Sequence, residues 1–317
     1  MQLPKQVCVT EVVTRDGFQN EDRIVATHDK LRVIEGLVRA GITSIEATSF
    51  VHPRIVPQLG DAAELMARLP RYPGVIYSAL VPNVKGAQRA LAAGVTELHL
   101  VLSASETHNW ANLNRSVNQS LLQLAEVCAY ARSENPEVNL TVTIATAFHC
   151  PFEGRTPLER LAWVVEELVK MGINQINLAD TDGAAHPFQV WQTLTDLKEC
   201  FLSVNWSLHL HNTRDMGLAN VLAGLQAGVT QFDASLGGIG GCPFAPGATG
   251  NISTEDLIHM LHEMGIQTGI NLEALLDEGK KLQAILGYEP PSHVLKAGTS
   301  GKRHSFEDLK FATARQV

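Results

Sequence analysis

The chain has 317 residues, 45% of them hydrophobic and 18% charged, enough to bury two modest cores or one large α/β core. A formal net charge of −8 argues against a nucleic-acid binder, and neither a lysine/arginine run nor a charge-free apolar stretch of membrane-spanning length is present. The N-terminus runs straight into a strand-like segment without an apolar signal region. Five cysteines (Cys8, Cys128, Cys150, Cys200, Cys242) lack metal-finger spacing, so a reducing, cytoplasmic setting is expected.

In chain order, short β-branched runs predict strands over 7–13, 44–50, 75–81, 97–103, 140–147, 175–179, 206–211 and 231–236. Amphipathic patterns between them predict helices, among them 28–40, 87–93, 116–132, 157–171 and 187–200, with 253–264 after the last strand. Gly41, Gly94, Gly172, Gly228 and Gly265 each follow an apolar helical run, where a left-handed residue ends a helix. Eight strand–helix units without a composition break predict a (β/α)8 TIM barrel, which needs about 250 residues. A doubly wound open sheet is the alternative, but it carries a glycine-rich phosphate loop after its first strand. Here that strand runs into Arg15-Asp16-Gly17, which favours the barrel. The expected division is a catalytic barrel over 1–270 and a C-terminal extension over 271–317. The extension comprises a helix at 272–286 and a polar, poorly ordered end from 296.

In a TIM barrel the active site sits where strands finish. The first strand delivers Arg15, Asp16 and Gln19, the second Glu46, the sixth Asp180 and Asp182, and the seventh His209 and His211. Alternation along a strand sends His209 and His211 to the same face, as a metal pair requires, although such pairs also occur on solvated strands. Asp16 and Asn251 are candidates to complete the set. Two nitrogens, a carboxylate and an amide oxygen suit six-coordinate Mg²⁺ or Mn²⁺ better than closed tetrahedral zinc. Glu46, a charge in an apolar strand, reads as a buried partner of Arg15, as a catalytic acid, or as both. Cys242 lies in the glycine-rich segment Gly237-Gly238-Ile239-Gly240-Gly241-Cys242, where it is either a reactive thiol or an inert small residue.

The block Arg15-Asp16-Gly17-Phe18-Gln19-Asn20-Glu21 resembles the signature of metal-dependent acyl-CoA lyases and synthases built on a TIM barrel. Ile45–Val51, Cys150–Gly154, Gly237–Pro243 and Gly250–Asp256 are similar to blocks of the 3-hydroxy-3-methylglutaryl-CoA lyase family, collinearly from about Thr10 to Leu282. The resemblance implies metal ligands at Asp16, His209, His211 and Asn251, and a catalytic arginine at Arg15. It implies a mobile-loop cysteine at Cys242 and active-site acids at Glu46 and Asp180. It also implies retro-aldol cleavage of 3-hydroxy-3-methylglutaryl-CoA to acetyl-CoA and acetoacetate. Asp16 or His209 would serve as base, Arg15 would stabilise oxyanion charge and Cys242 would serve as acid. A homodimer is compatible with the family.

Three places depart from the family pattern: Asn212-Thr213-Arg214 after the histidines, Asp182 where the family has an apolar residue, and His149 before Cys150. Either these are rim drift, with Arg214 and Asp182 pairing, or Gln19, Asp182 and Arg214 bind a changed substrate. A citramalyl-CoA-like thioester is one alternative, and a condensing acyl-CoA synthase or a non-catalytic barrel are others. Cys242 and the absence of a long C-terminal extension weigh against the synthase.

Overall fold

The computed structural model describes residues 3–241, 250–301 and 303. Its eight barrel strands are β1 (Cys8–Glu11), β2 (Ser44–Ser49), β3 (Ile76–Leu80), β4 (Glu97–Ser103), β5 (Asn139–Ala145), β6 (Gln175–Asp180), β7 (Asn205–Leu210) and β8 (Gln231–Ala234). All pair in parallel and in sequence order, and β8 closes onto β1 through Cys8–Gln231 to Glu11–Ala234. The expected TIM barrel is therefore present.

Each strand is covered outside by helices whose apolar residues recur at helical spacing. In α6 (Leu158–Lys170), Leu161, Val164, Val165 and Leu168 are buried. Helix ends follow local chemistry as well. Ser116 and Gln119 form a reciprocal capping box at the start of α5 (Val117–Glu134). The five helix-ending glycines all have positive φ. At Gly41, a Cβ would lie 2.5 Å from the Gly269 carbonyl oxygen, so no other residue fits without moving backbone.

The structure shortens the first strand. Glu11 turns its carboxylate onto the Val13 amide at 2.9 Å. The Val12 carbonyl then accepts from Arg15, Asp16 and Gly17 at 3.1, 2.7 and 3.2 Å. The result is a π-helical turn over Val13–Gly17 that carries Arg15 and Asp16 to the barrel mouth. The fifth strand ends early because Thr146 adopts φ +52. A small hairpin follows, pairing His149–Cys150 with Gly154–Arg155. β7 stops at Leu210, and His211 instead bridges Asn251.

Short helices at Ala62–Arg68, Glu106–Leu113 and His293–Ala297 add to the expected set. The last of these overlaps the polar end only at 296–297, and residues 302 and 304–317 of that end lie outside the described residues. The Val294 and His293 amides donate to Asp256 at 2.7 and 3.0 Å, which pins the segment to the barrel. The helix Leu272–Leu286 lies against Thr27–Arg39, with Arg39 3.6 Å from Glu278. Among the described residues, no helix is long and apolar enough to cross a membrane.

Candidate metal and active site

Asp16, His209 and His211 are all buried, and one ligand-capable atom from each lies within 4.8 Å of the others. The two Nε2 atoms of His209 and His211 approach to 3.2 Å, and His209 Nε2 is 4.0 Å from Asp16 Oδ2. Asn251 joins through its amide nitrogen, which donates to Asp16 Oδ2 at 2.7 Å and to the Ile239 carbonyl at 3.1 Å. That leaves the Asn251 Oδ1 as its ligand-capable atom. Gln19 Nε2 donates to the other Asp16 oxygen at 2.8 Å, so its contact here is with Asp16. Gly240, at φ +114, lies so close that a Cβ would sit 2.5 Å from the Asn251 nitrogen and 3.1 Å from Asp16 Oδ2. Only glycine lets the loop approach this site.

The electrostatics suit a cation. Burial, reinforced by the charge of His209, holds His211 down at about 3, so its imidazole is neutral with a lone pair to offer. His209 has burial working against its charge, but a 3.1 Å contact from Nδ1 to Asp233 and the nearby Asp16 raise it above the usual histidine value. The Nδ1 contact fixes the ring and presents Nε2 to the site, the arrangement common behind ligating histidines. Asn177 in turn donates to Asp233 at 2.8 Å. Two imidazole nitrogens and a carboxylate converging from buried side chains make a donor set that fits a divalent cation.

Beside this cluster, Arg15 bonds to Asp16 through Nη1 and to Glu46 Oε2 at 2.8 Å through Nη2. Glu46 is therefore the buried partner of Arg15. A further layer was missed in the sequence: His99 from β4 stands 3.6 Å from Glu46 Oε1 and 3.0 Å from Glu97. Burial disfavours the charge on each group, yet Arg15, then His99, hold Glu46 down at about 2, and Glu46 with Glu97 push His99 up to about 10. The line Glu97, His99, Glu46, Arg15, Asp16 is thus alternately charged and stiffens the arginine. The sequence signal for His99 is its i, i+2 spacing from Glu97, which puts both side chains on one face of β4.

Two buried carboxylates hold the base of the glycine-rich segment. Glu11 accepts from the Leu236 amide at 2.8 Å and the Thr254 hydroxyl at 2.7 Å, and Glu255 accepts from the Gly237 amide and the Ser253 hydroxyl. Cys242 itself lies outside the described residues. Asp180, Asp182 and Arg214 gather elsewhere. Asp180 Oδ1 accepts from the Ala184 and Ala185 amides, and burial, with Asp182 nearby, raises it to about 7. No hydrogen bond or ion pair joins it to the Asp16 cluster among the described residues. Arg214 and Asp182 do not pair as side chains: Arg214 Nη1 donates to the Asp182 backbone carbonyl at 2.8 Å, while the Asp182 carboxylate meets His149 Nδ1 at 2.6 Å. The reason is geometric, since the carboxylate turns toward the hairpin and leaves only its carbonyl to the β7 loop.

Residues 6–281 match the HMGL-like family model. A hydroxymethylglutaryl-CoA lyase of Bacillus subtilis is 43% identical, covering 93% of this chain and 98% of the relative. A 3-hydroxy-3-isohexenylglutaryl-CoA/hydroxymethylglutaryl-CoA lyase of Pseudomonas aeruginosa is 38% identical, covering 94% and 98%. A solved HMG-CoA lyase from Acinetobacter baumannii, in complex with coenzyme A and 3-methylmalate, superposes with a TM-score of 0.91 at 43% identity, covering 95% and 98%. The chain belongs to the HMGL-like family, and within it to the carbon–carbon lyases of the hydroxymethylglutaryl-CoA type.

Proposed function

We propose that this chain cleaves the C2–C3 bond of a 3-hydroxyacyl-CoA, with 3-hydroxy-3-methylglutaryl-CoA as the reference substrate, giving acetyl-CoA and acetoacetate. The observation that carries the reading is the buried Asp16–His209–His211 cluster set beside the Arg15–Glu46 pair in a barrel of this family. Asp16, His209, His211 and Asn251 would hold Mg²⁺ or Mn²⁺. When bound, the ion supplies Lewis acidity toward the substrate's hydroxyl and thioester oxygens.

The remaining work falls to the chain's own groups. His209, held at Nδ1 by Asp233, keeps its one free lone pair on Nε2 for the ion, whereas Asp16 has two carboxylate oxygens and so one to spare to take the 3-hydroxyl proton. As that proton leaves, C3 becomes a ketone, and the C2–C3 electron pair moves onto the acetyl thioester as its enolate. Arg15, fixed by Glu46, places positive charge against the enolate oxygen, and its rigid fork makes lysine a poor replacement. A proton delivered to C2 completes acetyl-CoA, and Cys242 is the proposed donor.

Residues 1–270 form the catalytic unit in this reading, and the helices from 271 brace it. A cytoplasmic homodimer accompanies the reading, and light scattering of the purified chain checks the assembly. The central test is acetyl-CoA release from 3-hydroxy-3-methylglutaryl-CoA. Release with Mg²⁺ or Mn²⁺ and its loss with a chelator are expected. If no 3-hydroxyacyl-CoA is cleaved with any divalent metal, the reading fails.

A further inference from the structure

His149, Asp182 and Arg214 are scattered in sequence but form one connected cluster. They stand on the segments that follow β5, β6 and β7. The Asp182 carboxylate takes His149 Nδ1 at 2.6 Å, and its backbone carbonyl takes Arg214 Nη1 at 2.8 Å. His108, in the short helix Glu106–Leu113 that follows β4, feels the charge of Asp182 as well.

The loops that carry the cluster are locked. The Thr146 amide donates to the Thr181 hydroxyl at 2.8 Å, and the Gln189 side chain donates to the Phe148 carbonyl at 2.7 Å. Gly183 packs so tightly on Thr213 that a Cβ would lie 2.7 Å from that side chain. Asp182 therefore has a fixed place, and its side chain is only 4% exposed. Yet its Oδ1 is buried without a hydrogen-bond partner, as is Asp180 Oδ2. A buried acceptor left unpaired costs about 1–3 kcal/mol, which a donor brought by a ligand would recover.

Its position says what brings that donor. Ala179 is in register with His209, and Asp182 follows three residues later. Arg214 follows His211 by three residues. Three residues span at most about 10 Å, so the cluster lies close to an acyl group anchored at the histidines. A hydrocarbon branch on C3 would leave Asp182 Oδ1 unpaired, and a carboxylate there would face it with like charge. A hydroxyl donates to Oδ1 and accepts from an N–H of His149 or Arg214.

We propose that His149, Asp182 and Arg214 form a polar subsite for the C3 branch of the acyl group, selecting a 3-hydroxyacyl-CoA whose branch carries a hydroxyl over one whose branch is hydrocarbon. The inference rests on the lyase reading above. It is tested by kcat/KM on three glutaryl-CoA thioesters that share the 3-hydroxyl and carry methyl, hydroxymethyl or carboxyl as the C3 branch.

The native enzyme is expected to favour the hydroxymethyl thioester over the methyl one by about tenfold or more, since a site built to bond a hydroxyl discriminates strongly against its absence. Asp182→Val is expected to remove that preference through loss on the hydroxymethyl substrate. Asp182→Asn keeps the shape and is the second variant should Asp182→Val fail to fold; it is expected to weaken the preference. Equal kcat/KM on methyl and hydroxymethyl thioesters, a preference for the carboxyl branch, or a ratio unmoved by both variants overturns the subsite and leaves the lyase reading standing. Cleavage of none of the three removes both.

Discussion

The barrel mouth has two unlike halves. Along β1, β2, β4, β7 and β8, nearly every charge has its complement: Arg15 lies between Asp16 and Glu46, His99 between Glu46 and Glu97, and His209 against Asp233. At the loops after β5 and β6, Asp180 and Asp182 oppose each other's charge, and no arginine or lysine side chain pairs with either carboxylate among the described residues. A compensated network is rigid and suits a reaction that every substrate shares. An uncompensated one is completed by whatever binds and so selects among substrates. On the proposed reading, chemistry and selectivity occupy different loops of one barrel, which lets one change while the other is kept.

Perturbing the compensated half should therefore damage turnover on every thioester alike, in graded amounts. His211→Ala removes a ligand of the cluster. Turnover should fall about a thousandfold or more, with metal binding lost in parallel by calorimetry, because the ion supplies several kcal/mol of charge stabilisation. Arg15→Lys keeps the charge but loses the fork to Asp16 and Glu46. A loss of about 10²–10³ in kcat with metal affinity retained is expected, and intact metal-dependent turnover would dismiss the oxyanion role. Asp233→Asn acts through His209, so metal affinity should weaken about 10–100-fold. An unchanged affinity would reduce the Asp233 contact to packing.

The smallest effect is expected at His99, which touches neither ligand nor substrate. His99→Val should lower kcat several-fold more than it raises KM, by loosening Glu46 and hence Arg15. Stability supplies a second readout. Because Glu46 and Glu97 outweigh burial and raise His99 from 6.5 to about 10, its contribution is complete below pH 6.5 and disappears as the pH rises through about 10. Denaturant midpoints across pH 7–10 should fall more steeply for the native chain than for His99→Val. Parallel slopes would show that His99 carries no such charge.

The sequence alone carried the fold far, because each unit repeats the same physics: an apolar β-branched run, an amphipathic helix and a glycine that turns the chain back. Helix Pro187–Cys200 and strand Glu97–Ser103 were read to the residue. The clustering of Asp16, His209 and His211 was also legible, since alternation alone puts the two histidines on one face and the end of the first strand places Asp16 near them. Periodicity says nothing about where a side chain from one strand ends relative to another ten elements away. Only the closed barrel decided that His99 faces Glu46, that Asp233 backs His209, and that Arg214 grips the backbone of Asp182 while the Asp182 carboxylate turns to His149. Local pattern fixes the elements because their driving forces lie within a few residues. Partner choice among buried charges depends on angles and distances set by the whole barrel, and these appear only when it closes.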